Sequence, residues 1–351
     1  MAVSLQVVGV VAFYMCSALI MVFVNKMVLT AAPNLTVLFM FFQSITTVIL
    51  LQATSLATSH VQIPKLEYQT AKNLAPLIIV DTLGFVFNAL CLRDVEAAFY
   101  QIARGMVLPL TIAVVAVSSR TRPSLAVVGC ASVVTFGFFL GISFESDLPA
   151  RAIPKPLGLF YGFLSSLSIA FHAVLVKTSL PYVNGSSTML SYWSNLGSAI
   201  MLGMLSLLKG EVLEFMDMTS RSDWDWQTFA WGNLVTGIFG FLISIAGILS
   251  VKVTSPVTHM FSSAARSVLQ VFLAVRLFGD VFTTQRAASV LTILAGTLIY
   301  TYVKSQEGAA APPPRPSPGA LPMSVKDIDQ PESPHENQES LGHEPSEKSQ
   351  S

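Results

Sequence analysis

Residues 251–280, VKVTSPVTHMFSSAARSVLQVFLAVRLFGD, decide what kind of fold the chain can adopt. The second half of this stretch is apolar enough to lie in a lipid bilayer, yet Arg266 stands in its middle. A guanidinium without a partner in hydrocarbon costs at least about 2.5–3.5 kcal/mol on insertion scales. We therefore expect a membrane helix in which Arg266 contacts a polar or charged group.

The composition of the whole chain agrees with a membrane location. Of the 351 residues, 52% are hydrophobic and only 11% are charged, which is too apolar for a soluble domain. The formal net charge is zero, so no basic excess indicates a nucleic-acid partner. The three cysteines fall in apolar runs without metal-binding or redox spacing, which indicates packing residues.

Apolar runs of roughly 20 residues, bounded by charges or Pro/Gly clusters, predict an all-α integral membrane protein with ten transmembrane helices. The predicted helices cover residues 5–29, 34–58, 73–92, 96–118, 124–144, 156–176, 187–208, 227–250, 257–278 and 284–304. Little chain is left between them, so residues 1–305 are predicted to form one transporter domain. Residues 306–351 are rich in Pro, Ser, Glu and Gln, which predicts a disordered C-terminal tail.

An internal repeat is indicated by basic residues at matching places. Arg104, in the fourth predicted helix, aligns with Arg266 in the ninth, and Lys26 near the end of the first helix matches Lys177 near the end of the sixth. This pattern predicts a five-plus-five repeat, with halves at about 1–150 and 151–305. Because five is odd, the second half is inserted upside down, which is typical of secondary transporters with a binding site at the middle of the membrane.

The charges of the loops favour cytosolic termini. An even number of helices puts both termini on one side, and cytosolic loops carry an excess of Lys and Arg. The loops on the side of the termini contain few acids and hold the basic residues Lys65, Lys72, Arg120, Arg122, Lys177 and Lys252.

Polar residues recur at helical spacing on several predicted helices, so each set shares one face. The sets are Ser255, His259, Ser262, Arg266 and Gln270; Tyr100 and Arg104; Tyr192, Asn195 and Ser198; and Tyr14, Ser17 and Asn25. We expect these faces to meet at one central cavity. The alternative is that they only hold helices together, as small polar side chains commonly do in membranes.

Paired arginines suit a multiply charged anion, because guanidinium forks match phosphate oxygens. Arg104 and Arg266 are therefore the predicted phosphate ligands. Aromatic, amide and further polar groups suit a base or a sugar, and the candidates are Asn25, Lys26, Asn88, Tyr100, Tyr192, Asn195, His259 and Ser263. The sequence has no Gly-rich phosphate loop, nucleophile elbow or metal-ligand spacing, so neither an enzyme nor a bound cofactor or metal is predicted.

Three segments carry a family resemblance. TSPVTHMFSSAARSVLQVFLAV resembles the ninth helix of the triose-phosphate and nucleotide-sugar translocators of the drug/metabolite transporter superfamily, and NALCLRDVEAAFYQIARG and MVFVNKMVL resemble the Golgi GDP-fucose transporter branch. The resemblance, over about residues 7–305, implies ten helices in a multi-pass Golgi membrane protein. It also implies exchange of a cytosolic nucleotide sugar for a lumenal nucleoside monophosphate, with phosphate bound by Arg104 and Arg266.

The sequence departs from the pattern of that family at a few positions. The segment that reads guanine, typically F-Y-N-N, is YWSN here, from Tyr192 to Asn195, which loses one amide. The small-to-basic motif of the ninth helix is SSAAR, with Ser262 for Gly and Arg266 for Lys. Asp81 is a further departure. An ionised carboxylate that faced the diphosphate of the substrate would repel that diphosphate, so we expect Asp81 to be protonated or to pair with a cation.

The predicted function is antiport of GDP-fucose against GMP. The alternatives are a GDP-mannose carrier, a carrier of simple sugar phosphates, or, from another class, a membrane scaffold that does not transport and acts through its tail. The expected partners are the nucleotide sugar, the nucleoside monophosphate and the lipid bilayer. The oligomeric state stays open between a monomer and a homodimer.

Overall fold

The computed structural model describes residues 5–58, 63–64, 66–143, 149, 153–221, 224–253 and 256–310, without the side chains of residues 5–8, 245–253, 256–261, 263 and 308–310. Throughout these residues the regular structure is helical, with no strand. The helices are α1 (Leu5–Ala31), α2 (Thr36–Ala57), α3 (Tyr68–Asp94), α4 (Tyr100–Ala103), α5 (Val107–Ser119), α6 (Leu125–Ile142), α7 (Pro156–Ser179), α8 (Ser187–Leu208), α9 (Glu211–Thr219), α10 (Trp226–Val253), α11 (Pro256–Phe278) and α12 (Thr284–Ala310).

The prediction of a helical membrane protein is confirmed. In the described part of the chain, seven helical segments are long and apolar enough to cross a membrane, and the number is eight if α8 and α9, bent by 73°, form one span. The seven segments are Gly9–Ala31, Pro33–Ala57, Tyr68–Asp94, Tyr100–Ser119, Leu125–Ile142, Pro156–Val183 and Thr284–Glu307.

Several boundaries differ from the sequence prediction, and α3 begins at Tyr68 where the prediction began at 73. The helix predicted over 96–118 is broken into α4 and α5, and the short helix α9 was not predicted. Helix α12 continues to Ala310, so residues 306–310 of the predicted tail are helical, and residues 311–351 lie outside the described part.

The break between α4 and α5 positions Arg104. Gly105 donates its backbone N–H to the Ile102 carbonyl at 2.8 Å, which tightens the chain into a turn. Pro109 then lies in the first turn of α5, where its missing N–H leaves no helical hydrogen bond unmade. Arg104 therefore sits at the junction of two helical segments, not on a continuous helix.

Helix packing follows a definite pattern. Helix α3 packs along α7 and α8, α10 packs along α1 and α2, and α2 also packs along α8. Helix α5 lies against α7, and α11 lies against α1. Small residues allow the close approaches that packing in lipid requires: a Cβ added at Gly84 would lie 2.8 Å from the Cβ of Ser168 in α7, and one at Gly237 would lie 2.6 Å from Thr46 in α2.

Two loops are cross-linked at one end of the bundle. The Glu96 carboxylate, in the α3–α4 loop, accepts from Arg286 Nη1 at 2.7 Å and from the Val281 N–H at 3.3 Å. The Asp280 carboxylate, in the α11–α12 loop, accepts from the Ala98 N–H at 2.8 Å. Burial raises the pKa of the Asp280 carboxyl above its ordinary value. We refer to these residues, Glu96, Asp280 and Arg286 with the backbone of Ala98 and Val281, as the loop network.

Candidate functional site

The structure brings Arg104 and Arg266 to one cavity. This cavity, of about 430 Å³, lies among α4, α5, α11 and α12, and we refer to it as the arginine cavity. Its polar lining consists of Gln101, Arg104, Thr111, Arg266, Ser267, Thr297 and Tyr300. The two guanidinium groups are close enough for Arg104 to contribute to the electrostatic environment of Arg266. Two cations thus face one buried space.

Neither arginine is neutralised by a carboxylate within the described residues. The Nε atoms of both are buried and have no hydrogen-bond partner in that part of the structure. Arg104 Nη1 donates to the Tyr100 hydroxyl at 3.0 Å, and its guanidinium carbon lies 5.3 Å from the centre of the Tyr100 ring. Tyr100 in turn donates to Asn88 Oδ1. Partly buried cations without counter-charges are costly, so the cavity favours an anion.

A pair of glutamines ties together the helices that carry the arginines. Gln101 Nε2 donates to Gln270 Oε1 at 2.6 Å, and Gln270 Nε2 donates to the Ala97 carbonyl at 3.4 Å. Gln270 is fully buried. Because each glutamine is within one helical turn of an arginine, this contact fixes the two guanidinium groups relative to each other.

Two further cavities continue from the first. The bridging cavity, of about 300 Å³, lies between α3 and α7 and is also lined by Arg104 at the end of α4; its other polar residues are Asp81, Asn88, Ser165, Ser168 and His172. The inner cavity, of about 220 Å³, shares Asp81 and Phe85 with it and is lined by Gln43, Ser44, Thr47, Ser194, Asn195 and Ser198. Shared residues therefore connect the arginines to a set of amide and hydroxyl groups.

Asp81 has two polar partners. Its Oδ1 is hydrogen-bonded to His172 Nδ1, and its Oδ2 accepts from the Ser194 hydroxyl. The sequence led us to expect a protonated Asp81 or one paired with a cation; its partners in the structure are a histidine and a serine. His172 is not among the candidates from the sequence, although Ser165, Ser168 and His172 recur at three and four residues on α7. That stripe, read together with a carboxylate in a neighbouring apolar helix, is the signal that could have located the pair.

The remaining base and sugar candidates are divided between cavity and packing positions. Asn88 and Asn195 line the bridging and inner cavities. Tyr192 lines none of the three cavities in the described structure; it is 5% exposed, packs against Val48 and Leu51, and donates to Gln52 Oε1 at 3.1 Å. The structure thus places Tyr192 in a packing environment beside the site.

Lys26 lies apart from the arginines. Its ammonium donates to the carbonyls of Leu92 at 2.8 Å and Val95 at 2.6 Å, where it caps the C-terminal end of α3. The neighbouring Asn25 Oδ1 is buried without a partner among the described residues. His259 and Ser263 have side chains outside the described part of the structure.

The described residues contain no group of three His, Cys, Asp or Glu side chains arranged to hold a metal ion. The site is therefore characterised by cations, amides and hydroxyls that can bind a polar anion.

Comparison with known proteins supplies the family context. The sequence profile of the Triose-phosphate Transporter family matches residues 5–301. The GDP-fucose transporter of the Golgi from Drosophila melanogaster is 31% identical over 314 residues, covering 86% of this chain and 91% of that protein. GDP-fucose transporter 1 from Dictyostelium discoideum is 30% identical over 305 residues, covering 84% of this chain and 80% of that protein.

A crystal structure of another protein resembles this fold with a TM-score of 0.50 at 13% identity, covering 84% of this chain and 98% of its own. At that identity the likeness concerns the fold alone.

Proposed function

The chain belongs to the Triose-phosphate Transporter family, whose members are transporters and not enzymes, and from this premise we propose that it exchanges GDP-fucose for GMP across the Golgi membrane. The observation that carries the proposal is the arginine cavity, where Arg104 and Arg266 face one space without a carboxylate partner in the described structure. Phosphate oxygens are the complementary group, since they accept hydrogen bonds from guanidinium forks.

The shape of the site suits an elongated nucleotide. An anion at the arginines leaves the bridging and inner cavities for neutral groups that hydrogen-bond, and these cavities present Asn88, Asn195 and several hydroxyl groups. The names of the relatives supply the substrate class, a GDP-sugar. The name of the family favours a second candidate, a carrier of simple sugar phosphates, which would need only the arginines.

We further propose ten spans arranged as an inverted repeat, with α1–α6 as the first half and α7–α12 as the second. The packing pattern supports this arrangement. If α1 corresponds to α7, α2 to α8, α3 to α10 and α5 to α11, then the contact of α3 with α7 matches that of α10 with α1, and α3 with α8 matches α10 with α2. The contact of α5 with α7 likewise matches α11 with α1. Such symmetry underlies alternating access in secondary transporters.

Exchange follows from the charge of the site. An empty carrier would have to rearrange with two uncompensated cations in a medium of low dielectric, which is costly. A bound anion lowers that cost in either direction. The loaded carrier should therefore cross much faster than the empty one, and GMP on the far side should accelerate uptake. Cytosolic termini complete the proposal.

The test uses purified full-length protein in proteoliposomes. Vesicles loaded with GMP should take up labelled GDP-fucose many times faster than empty vesicles. Competition outside the vesicles should follow the order GDP-fucose, GDP-mannose, UDP-sugars. Comparable uptake into empty and loaded vesicles would contradict exchange. Equal inhibition by GMP and UMP would remove the guanine assignment, and stronger inhibition by triose phosphate would favour the second candidate.

A further inference from the structure

Asp81 is a carboxylate in the wall of the proposed nucleotide site. Its side chain is 17% exposed, and it lines both the bridging cavity, together with Arg104, and the inner cavity, together with Asn195. A carboxylate at this place would repel a phosphate group, so the anion of the substrate stays at the arginines. The part of the substrate that reaches Asp81 must be neutral and must carry hydrogen-bond donors.

The backbone holds Asp81 against two other helices. One turn away, Gly84 approaches α7 so closely that an added Cβ would lie 2.8 Å from Ser168. On the other side, an added Cβ at Gly197 of α8 would lie 2.5 Å from Ile78 of α3. These approaches bring α7 and α8 within reach of a short aspartate side chain, which is bonded to His172 Nδ1 and Ser194 Oγ. The carboxylate is thereby held in one orientation.

Two acceptor positions remain on this carboxylate. An ionised carboxylate offers about four lone-pair sites, and His172 and Ser194 use one on each oxygen. Each oxygen can therefore accept one more hydrogen bond. A ligand with two adjacent donors matches this geometry, because it binds both oxygens at once.

We propose that the Asp81 carboxylate accepts hydrogen bonds from the N1–H and N2–H₂ donors of a guanine base, with His172 and Ser194 as positioning residues. This inference rests on the proposed function, that of a carrier for guanosine nucleotides. Guanine has two adjacent donors on one edge. Hypoxanthine lacks the amino group, and uracil has one N–H between two carbonyls that a carboxylate would repel. The order of the cavities, arginines first and Asp81 next, follows the order of phosphate and base in the nucleotide.

The first measurement needs no variant. Purified wild-type protein is heated with GMP, IMP, xanthosine monophosphate or UMP, and apparent affinities are taken from the concentration dependence of the melting temperature. We expect GMP to bind about tenfold or more tightly than IMP, because loss of one hydrogen bond to a charged acceptor is worth about that much. Equal affinities for GMP and IMP would overturn the assignment of Asp81.

The second measurement replaces the Asp81 carboxylate, which only accepts hydrogen bonds, with an amide that also donates them. In Asp81→Asn, one acceptor oxygen becomes an amide donor, which matches the C2 carbonyl and N1–H of xanthine. We expect the ratio of GMP to xanthosine monophosphate affinities to fall by about tenfold or more and the preference to invert. A merely structural role of Asp81 would weaken both ligands together and leave their ratio unchanged, and that result would overturn the proposal.

Controls separate this inference from the proposed function. Asp280→Asn changes another partly buried carboxylate, in the loop network, and should leave the nucleotide ratios unchanged. Should the wild type respond to none of the nucleoside monophosphates, the proposed function itself fails. Asp81→Asn could instead keep the wild-type order of affinities for the nucleoside monophosphates and lower the affinity for GDP-fucose relative to GMP. In that case the sugar lies at Asp81 and the guanine assignment is wrong.

Discussion

Two kinds of arginine, one with a carboxylate partner and one without, distinguish two regions of this molecule. Arg286, in the loop network, is 1% exposed, donates to Glu96 Oε2 at 2.7 Å and to the Val281 carbonyl at 2.6 Å, and lies 4.9 Å from the centre of the Phe99 ring. Arg104 and Arg266, in the arginine cavity, have no carboxylate partner among the described residues and bury their Nε atoms without an acceptor there. The same side chain is thus neutralised in one region and left cationic in the other.

The difference supports the proposal that the loop network is structural and that the arginine cavity binds the substrate. A buried charge with a complete set of partners holds elements together, and here it fixes the α3–α4 loop to the α11–α12 loop. A buried cation without such partners raises the energy of the folded protein unless something else supplies the anion. A bundle that keeps two such cations beside a cavity of about 430 Å³ is prepared for a charged ligand.

The largest effect is expected from removing a cation of the arginine cavity. In Arg104→Ala or Arg266→Ala, exchange of GDP-fucose should fall by about 30-fold or more, because a lost charge-assisted contact to a buried anion costs about 2–5 kcal/mol. The protein should remain folded, since no ion pair of the described structure is broken. Uptake into GMP-loaded vesicles and the melting temperature measure the two properties.

Arg276 on α11 provides the matched control for that experiment. It lies on the same helix as Arg266 but is exposed, so Arg276→Ala should leave exchange within about twofold of wild type. Lysine at 104 or 266 should restore exchange only in part, because it keeps the charge and loses the guanidinium fork. Near-normal exchange in either alanine variant would remove the distinction between the two regions.

The next effect is expected at Arg286, and it should be on stability. Arg286→Met leaves the partly buried Glu96 without its cation, and removing one partner of a buried pair costs up to about 3–5 kcal/mol, so the melting temperature should drop. Exchange per folded molecule should stay near wild type. The double variant Glu96→Gln with Arg286→Met should recover much of the loss, because no uncompensated charge remains. If Arg286→Met instead lost exchange at an unchanged melting temperature, Arg286 would belong to the site.

Much of the membrane fold can be read from hydropathy, since apolar runs of sufficient length have few alternatives in lipid. The ends of α2, α7 and α8 lie within a few residues of the predicted ones. The break at Arg104 was missed because its cause, Gly105 followed by Pro109, is also compatible with a continuous membrane helix. The two arginines could be predicted as site residues from the sequence, because a charged side chain inside an apolar run is costly in lipid unless it has a polar partner.

Contacts between distant segments were beyond the reach of sequence reasoning. The sequence around Lys26 does not show that the carbonyls at the end of α3 accept hydrogen bonds from its ammonium, so Lys26 was predicted to bind the substrate. Periodicity placed Tyr192 and Asn195 on one face, yet only Asn195 lines the inner cavity, because α2 covers Tyr192 with Val48 and Leu51. The partners of Asp81 likewise depend on how α7 and α8 cross α3.

A smaller effect is expected at the contact between α4 and α11. Gln270→Leu removes the partner of the partly buried Gln101 amide, which costs up to about 1–3 kcal/mol. The substitution also removes a contact between the two helices that carry the arginines. The exchange rate should therefore fall severalfold, and the affinity for GMP should fall as well. Thr111→Val, which changes another polar group of the arginine cavity without touching Gln101, is the control. An unchanged exchange rate in Gln270→Leu would show that the arginines are positioned by other contacts.

The smallest effect is expected at Asp280, and it concerns pH. Burial raises the pKa of this carboxyl in the folded protein, so the folded state binds more protons than the unfolded state between the ordinary value, about 3.9, and the raised one. Stability should therefore fall as the pH rises through that window and stay lower above it.

Asp280→Asn keeps an oxygen that can accept from the Ala98 N–H and has no charge to desolvate. At neutral pH this variant should melt at or slightly above the wild-type temperature, by less than about 1 kcal/mol in stability, and the gap should close in acid. A variant that is clearly less stable than wild type at neutral pH would show that the charge of Asp280 stabilises the loop network, as the charge of Glu96 does through Arg286.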